Sequence, residues 1–447
     1  MYFVVSIHCF FLPCKPYPPN VAVIVDSHPI FGYNEAILTK EDESMNHTMP
    51  DSPAKYAVIK RARFLTDVRW TPLAEIPSHK QPDDSRRFPA GVTVTGMPYS
   101  SVEVVDKFIG ENVSFGTFLS AVANPDSVLY TRDLSSFKNA SGYYGCVCNE
   151  LVRYALGIPQ RYNTRHWYEI PGMHKVLEHG AYSADELRLC DILHEYDSTH
   201  THVALVTDLL RDKEGKVMMI EISEAAIPSC KRRTFTVEEY FKLYGTYDIC
   251  RWDGTESAVM WDPADEVTLF ARDAAVNPRP DIAHCYGDGA NILSGEEVVI
   301  SVFTEDPCNA EIYRDGALIE KIFFKGPGKA SRTFERGDYV LRHSVTGQST
   351  RLRVNDPAIH FIAQDGVLTV KVDSGDPGSQ LVHMDFRGEG EQVAYLERIE
   401  HLSPEERAFG VFSRPIPDGA HTIKFFFRNA FGLWASRLIQ LDNQDGQ

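Results

Sequence analysis

Cys148 is the residue of this sequence best placed for covalent chemistry, because the pattern around it sets a thiol at the start of a helix. Leu151, Val152 and Ala155 recur at spacings of three and four, and Gly157-Ile158-Pro159 supplies a stop, so a helix is predicted to begin at or just before Cys148. A thiol attacks a carbonyl as its thiolate, so it needs a partner that lowers its pKa and a place where negative charge is favoured. The unpaired amides of a helix N-terminus supply that place, and they can also face the oxyanion of a tetrahedral intermediate. A base must come from elsewhere, and His202 opens the β-prone run HVALVTDLL (202–210). Arg-Asp-Lys-Glu-Gly joins that run to KVMMIEIS (216–223), which predicts an antiparallel hairpin. The imidazole then needs a third polar group to hold its orientation. Glu221 and Glu224 lie on or just after the second strand. Alternation puts Glu221 and Ser223 on one face and Ile220, Ile222 and Glu224 on the other. The apolar neighbours mark the face of Glu224 as buried, which leans the choice towards Glu221 and leaves both as candidates.

Taken singly, each residue has a plainer explanation. A buried cysteine beside aromatic residues is more often structural than reactive, and a lone strand histidine is more often packed or at the surface. Their order changes that balance: a cysteine on a helix start, a histidine on a later strand and an acid one hairpin further on follow the chain order of a papain-like core.

The segments GMPYS (96–100), YGCVCNELVRYALGIP (144–159), LRLCDIL (187–193), HVALVTD (202–208) and IEISEA (220–225) resemble the NlpC/P60 and CHAP group of cell-wall cysteine peptidases and amidases, over about residues 96–230. The resemblance implies Cys148 as nucleophile, His202 as general base, Tyr99 on the oxyanion side and Asp191 as a turn aspartate. Glu221 stands where the NlpC/P60 pattern has its third polar residue, and Glu224 matches the acidic residue of CHAP sequences. Ser100, Tyr144 and Trp167 are expected to contact substrate, with Tyr168 and Trp70 as further aromatic candidates for the cleft, against the alternative that such rings belong to the core or its rim. Cys146 competes for the role of nucleophile, but it precedes the helix by two residues, where neither the dipole nor the amides point at it. The sequence departs from the family around the nucleophile: Val147 precedes Cys148, and Asn149 and Glu150 follow it. A long insertion separates Tyr99 from Cys148 and holds a predicted helix capped by Ser114, running through Phe118, Leu119 and Val122 to Asn124-Pro125.

At 447 residues the chain exceeds one ordinary core and predicts several domains. Its 43% hydrophobic and 24% charged residues are the balance of a folded protein. A net charge of -17 repels a phosphate backbone, so nucleic acid is excluded as the main partner. The short basic runs Arg86-Arg87 and Lys231-Arg232-Arg233 are read as solvated loops. Nine cysteines without repeated ligand spacing argue against a disulfide framework, a metal site or any cofactor. The opening segment, MYFVVSIHCFFLPCKPYPPN, has no basic region or cleavage site, is too short to span a bilayer, and reads equally as a degraded signal or a first strand.

The expected class is α+β: a papain-like, NlpC/P60-type cysteine hydrolase domain followed by all-β, Ig-like sandwich domains. The boundaries are an arm over 1–60, the hydrolase over 61–258, a first sandwich over 259–356 and a second over 357–447, the last two from short strands spaced by turns. The expected activity is cleavage of an amide bond in a peptide or peptidoglycan fragment through a thioester, at a cell surface or in secreted form, with no transmembrane segment. Two rivals stand beside it: a surface-binding protein that keeps the fold as scaffold, and a thiol acyltransferase. Oligomeric state is not set by the sequence.

Overall fold

The computed structural model describes residues 45–76, 88–101, 108–109, 113–134, 140–158, 162, 164–196, 201–257, 279–355, 358–373, 380–388, 397–403, 406, 411–428 and 434–441. The described residues all belong to one compact unit, Met45–Gln447. The opening segment, Arg86-Arg87 and the boundaries at 258–259 and 356–357 lie outside the described residues.

In chain order the first region contains β1 (Asn46–His47), α1 (Pro53–Asp67), β2 (Arg69–Trp70), β3 (Val94–Thr95), α2 (Phe115–Ala123), α3 (Val128–Thr131) and α4 (Cys148–Leu156). There follow β4 (Met173–Leu177), β5 (Ile192–Tyr196), β6 (Thr201–Arg211), β7 (Val217–Ala225), β8 (Cys230–Thr236), α5 (Val237–Tyr244) and β9 (Asp248–Trp252). A seven-stranded sheet runs β4-β9-β5-β6-β7-β8, with β1 on the far end of β6. All of its pairings are antiparallel, including the β6–β7 hairpin that the sequence predicts.

α1 begins within the stretch read as an arm over 1–60. Ser52 accepts the Lys55 amide, Pro53 occupies the first turn where its missing N–H costs nothing, and Ala57, Val58, Ala62 and Leu65 are buried. α2 matches its expected bounds, with Ser114 accepting the Thr117 amide at 3.0 Å.

α4 starts at Cys148 and ends at Gly157, whose φ of 76° lies in the left-handed region that glycine adopts without strain. All nine of its residues are buried. α1 clamps it through Arg61, whose Nε donates to the Ala155 carbonyl at 2.7 Å. Glu150 and Arg153, one turn apart and buried, pair at 2.6 Å. Truncating one partner of such a pair strands a charge in low dielectric. Arg153→Met is therefore expected to destabilise the protein by about 3–5 kcal/mol, read as a lowered chemical-denaturation midpoint with the slope unchanged.

Beyond residue 279 a three-stranded sheet centred on Glu297–Val302 faces a five-stranded sheet centred on Gly337–His343. Ile300 and Val302 of one sheet and Ile312 and Leu341 of the other join the same buried cluster as the first region. A second pair, of three and four strands, encloses a separate core of Leu368, Val370, Met384, Phe386 and Phe425. These are β-sandwiches.

The expected papain-like α+β class is corrected by this architecture. Strand outweighs helix by 46% to 19%, and the sheets form several sandwiches. The order of cysteine, histidine and acid constrains a few positions only, and a single nine-residue helix laid on an antiparallel sheet satisfies it without defining the class. Among the described residues no helix is long and apolar enough to cross a membrane.

Candidate active site

Val147, the residue before α4, is extended and its side chain makes no capping hydrogen bond, so the first amides of the helix are left without a side-chain acceptor. The Cys148 thiol is hydrogen-bonded to the His202 ring, and the main-chain N–H groups of Asn149 and Val203 donate to its thiolate. Val206 N–H turns towards β5 to reach the Asp191 carbonyl, so by alternation the Val203 amide points the other way. The paired register of β6 with β7 starts only at Leu205↔Ser223, which leaves that amide to the cysteine. Burial pushes the thiol up, but the His202 hydrogen bond and charge, with the two amides, bring it below its ordinary value.

His202 Nε2 lies 2.9 Å from Glu224 Oε2, which leaves Nδ1 for the thiol. Burial alone would lower the imidazole, but the cysteine and the glutamate carry it up to about 10. Glu224 moves in the opposite direction: burial raises it, and His202, Arg233 and Lys231 hold it down at about 2. The three groups form a line in which a thiolate, an imidazolium and a carboxylate stabilise one another.

The lean towards Glu221 is corrected. Pairings Leu205↔Ser223 and Val206↔Ile222 put His202, Ala204 and Val206 on the face of Ile222 and Glu224. Glu221 sits on the other face, beyond a register shift between Val206 and Asp208, where Arg63 (2.7 Å), Thr207 (2.9 Å) and Arg232 (2.9 Å) hold its carboxylate. Both faces of β7 are buried here, and only that of Glu224 brings an acid to the imidazole.

Tyr99 lies beside the thiols. Burial and the proximity of Cys148, Cys146 and Cys230 push its hydroxyl upward, so it stays a neutral donor. Cys146 is excluded as nucleophile, since burial and its contact with Cys230 raise its thiol well above the ordinary range. Asp191 is structural: at 1% exposure it accepts Arg188 N–H and pairs with Arg251 at 2.6 Å.

Three expected substrate contacts fail on burial. Ser100 is enclosed with its hydroxyl towards the Tyr143 carbonyl, Tyr144 donates to the Tyr286 carbonyl at 2.8 Å, and Trp167 is fully buried. Trp70 is equally enclosed, its indole N–H on the Gly96 carbonyl. Of the aromatic candidates Tyr168 alone is exposed, with its hydroxyl on Asp248.

The sequence reading missed the support around Glu224. Arg233 and the Tyr244 hydroxyl both donate to its carboxylate, and Tyr247 meets the His202 ring edge-on at 6.2 Å. Lys231-Arg232-Arg233, read as a solvated loop, belongs to β8. Register Ile222↔Arg233 and Ser223↔Arg232 sends Arg233 to Glu224 and Arg232 to Glu221. Two arginines on successive strand positions opposite two glutamates was the available signal. Among the described residues no group of three or more His, Cys, Asp or Glu is placed to hold a metal.

No family model matches the chain, and no curated protein does. Among solved structures, it is similar to domains NIE to MG1 of native Escherichia coli alpha-2-macroglobulin at 12% identity, covering 36% of this chain and 97% of that one, with a TM-score of 0.17. The CD2-binding domain of CD58 gives 11% identity, coverages of 35% and 97%, and 0.16. Domains 3 and 4 of rat CD4 give 12%, 34% and 98%, and 0.19. Scores of this size do not define a shared fold.

Proposed function

We propose that this chain is a cysteine hydrolase that cleaves an amide bond in a peptide, with bacterial cell-wall peptide as the substrate class that the NlpC/P60 resemblance points to. The observation that carries the reading is the hydrogen-bonded line Cys148–His202–Glu224 at the start of a buried helix. Such a line does little for stability that an apolar trio would not do better, since burying charge carries a desolvation cost. It is what a thiol needs in order to attack a carbonyl at neutral pH.

In this reading the Cys148 thiolate adds to the amide carbon. The Asn149 amide and the neutral Tyr99 hydroxyl stand beside the sulfur as donors for the oxyanion. The His202 imidazolium, held by Glu224, gives its proton to the leaving amine as the thioester forms. It then takes a proton from water, which attacks the thioester and frees the acid.

The test incubates the purified chain with murein peptides of defined sequence and identifies products by mass spectrometry, with and without an added amine acceptor. A new carboxyl and a new amine, absent with Cys148→Ala, support hydrolysis. A product joined to the acceptor instead makes it an acyltransferase. Intact substrate together with an inert Cys148 returns the chain to the binding reading.

A further inference from the structure

Cys146 and Cys230 stand 84 residues apart in sequence, and their sulfurs lie 2.9 Å apart. That is below the ~3.5 Å of ordinary nonbonded contact. Both side chains are buried, at 1% and 0% exposure. Neither belongs to the line Cys148–His202–Glu224.

The main chain around the pair is already fixed. Residues 97–100 run between the two cysteine segments: Cys146 N–H reaches the Pro98 carbonyl at 3.0 Å, and Ser100 N–H reaches the Cys146 carbonyl at 3.1 Å. On the other side Cys230 N–H bonds the Met97 carbonyl at 2.7 Å, and Tyr99 N–H bonds the Pro228 carbonyl at 2.8 Å. The three segments approach so closely that a Cβ on Gly96 would collide with the Cys230 carbonyl oxygen, and one on Gly145 with that of Pro98. Bond formation needs the two sulfurs to close from 2.9 Å to the ~2.05 Å of a disulfide.

We infer that Cys146 and Cys230 are a dithiol site that a peroxide closes into a disulfide, stapling the segment that carries Tyr99 beside the reactive cysteine. The Cys230 sulfur attacks hydrogen peroxide as its thiolate to give a sulfenic acid and release hydroxide, which the proton lost by Cys230 neutralises, and the Cys146 thiol displaces water from the sulfenic acid. Overall two thiols and one peroxide become one disulfide and two waters. The bond ties the sulfur of Cys146 to Cys230 and leaves Cys148 as a free thiol. The crosslink is read by mass and not by turnover, so it stands or falls apart from the hydrolase reading.

The experiment treats the purified full chain with a small excess of hydrogen peroxide, blocks remaining thiols with iodoacetamide after denaturation, and maps peptides without reduction. The expected result is a crosslinked peptide pair holding Cys146 and Cys230, two hydrogens lighter than the dithiol, released by dithiothreitol and formed equally in Cys148→Ala. Closing so long a loop should raise Tm by on the order of 5–10 °C, and that rise should vanish in Cys230→Ser. Alkylation of both cysteines after peroxide, or a link from Cys146 to Cys148, overturns the inference.

Discussion

Cys148→Ala should abolish turnover, and His202→Ala should lower it by at least about 10³-fold, because nucleophile and base act as one unit and the loss of either removes most of what both supply. The pH dependence follows from the shifts. Cys148 is held below the ordinary thiol value and His202 is carried up to about 10, so the thiolate–imidazolium pair has a window that opens below the ordinary thiol range and closes near pH 10. Below the window the thiolate gains a proton and activity falls; above it the imidazolium loses the proton that the leaving amine requires. In His202→Ala the burial that raises the thiol remains while its counter-charge is gone, so the Cys148 pKa must climb. Labelling of Cys148 by iodoacetamide at pH 7 should then slow by about 10- to 100-fold. In the wild type Cys148 should react ahead of Cys146, Cys190, Cys230, Cys250, Cys285 and Cys308: all seven are buried, but at Cys148 the His202 hydrogen bond and charge lower the thiol. Uniform labelling of the seven, indifferent to His202, would remove the enzymatic reading.

Glu224→Gln and Glu221→Gln should separate cleanly, although the two residues lie three apart on one strand. Glutamine at 224 keeps the shape and loses the charge that stabilises the imidazolium, so kcat should drop by about 10²- to 10⁴-fold with little change in KM. The high-pH limb should move down as His202 loses its carboxylate partner. Glutamine at 221 weakens the bonds to Arg63 and Arg232 on the opposite face. Its effect should be on stability, about 1–3 kcal/mol, with kcat within about twofold. Steady-state kinetics and urea denaturation of the two variants decide it. If 221 governs kcat and 224 does not, the assignment of the orienting acid is wrong.

Strand pairing explains why the acid could not be chosen from sequence. Period-two alternation is local, so it correctly divided Glu221 from Glu224, yet it carries no information on which face meets the helix. That depends on the register of β6 against β7 and on the irregularity between Val206 and Asp208. The same limit hid Arg233 and Tyr244, which reach Glu224 from a neighbouring strand and from α5. Ser100, Tyr144 and Trp167 were misjudged for a related reason: an aromatic or hydroxyl residue near a motif has no sequence mark of burial, and here packing closed over all three.

What the sequence by itself determined is local. The start of α4 at Cys148, its stop at Gly157, the Ser114 cap of α2 and the β6–β7 hairpin each follow from spacings within one element and were legible there. Tertiary structure alone decided the class of fold, the partner of His202 and the meeting of Cys146 with Cys230. Those depend on contacts between residues far apart in the chain, where backbone register and burial act and side-chain identity at one position says nothing about the position it will meet.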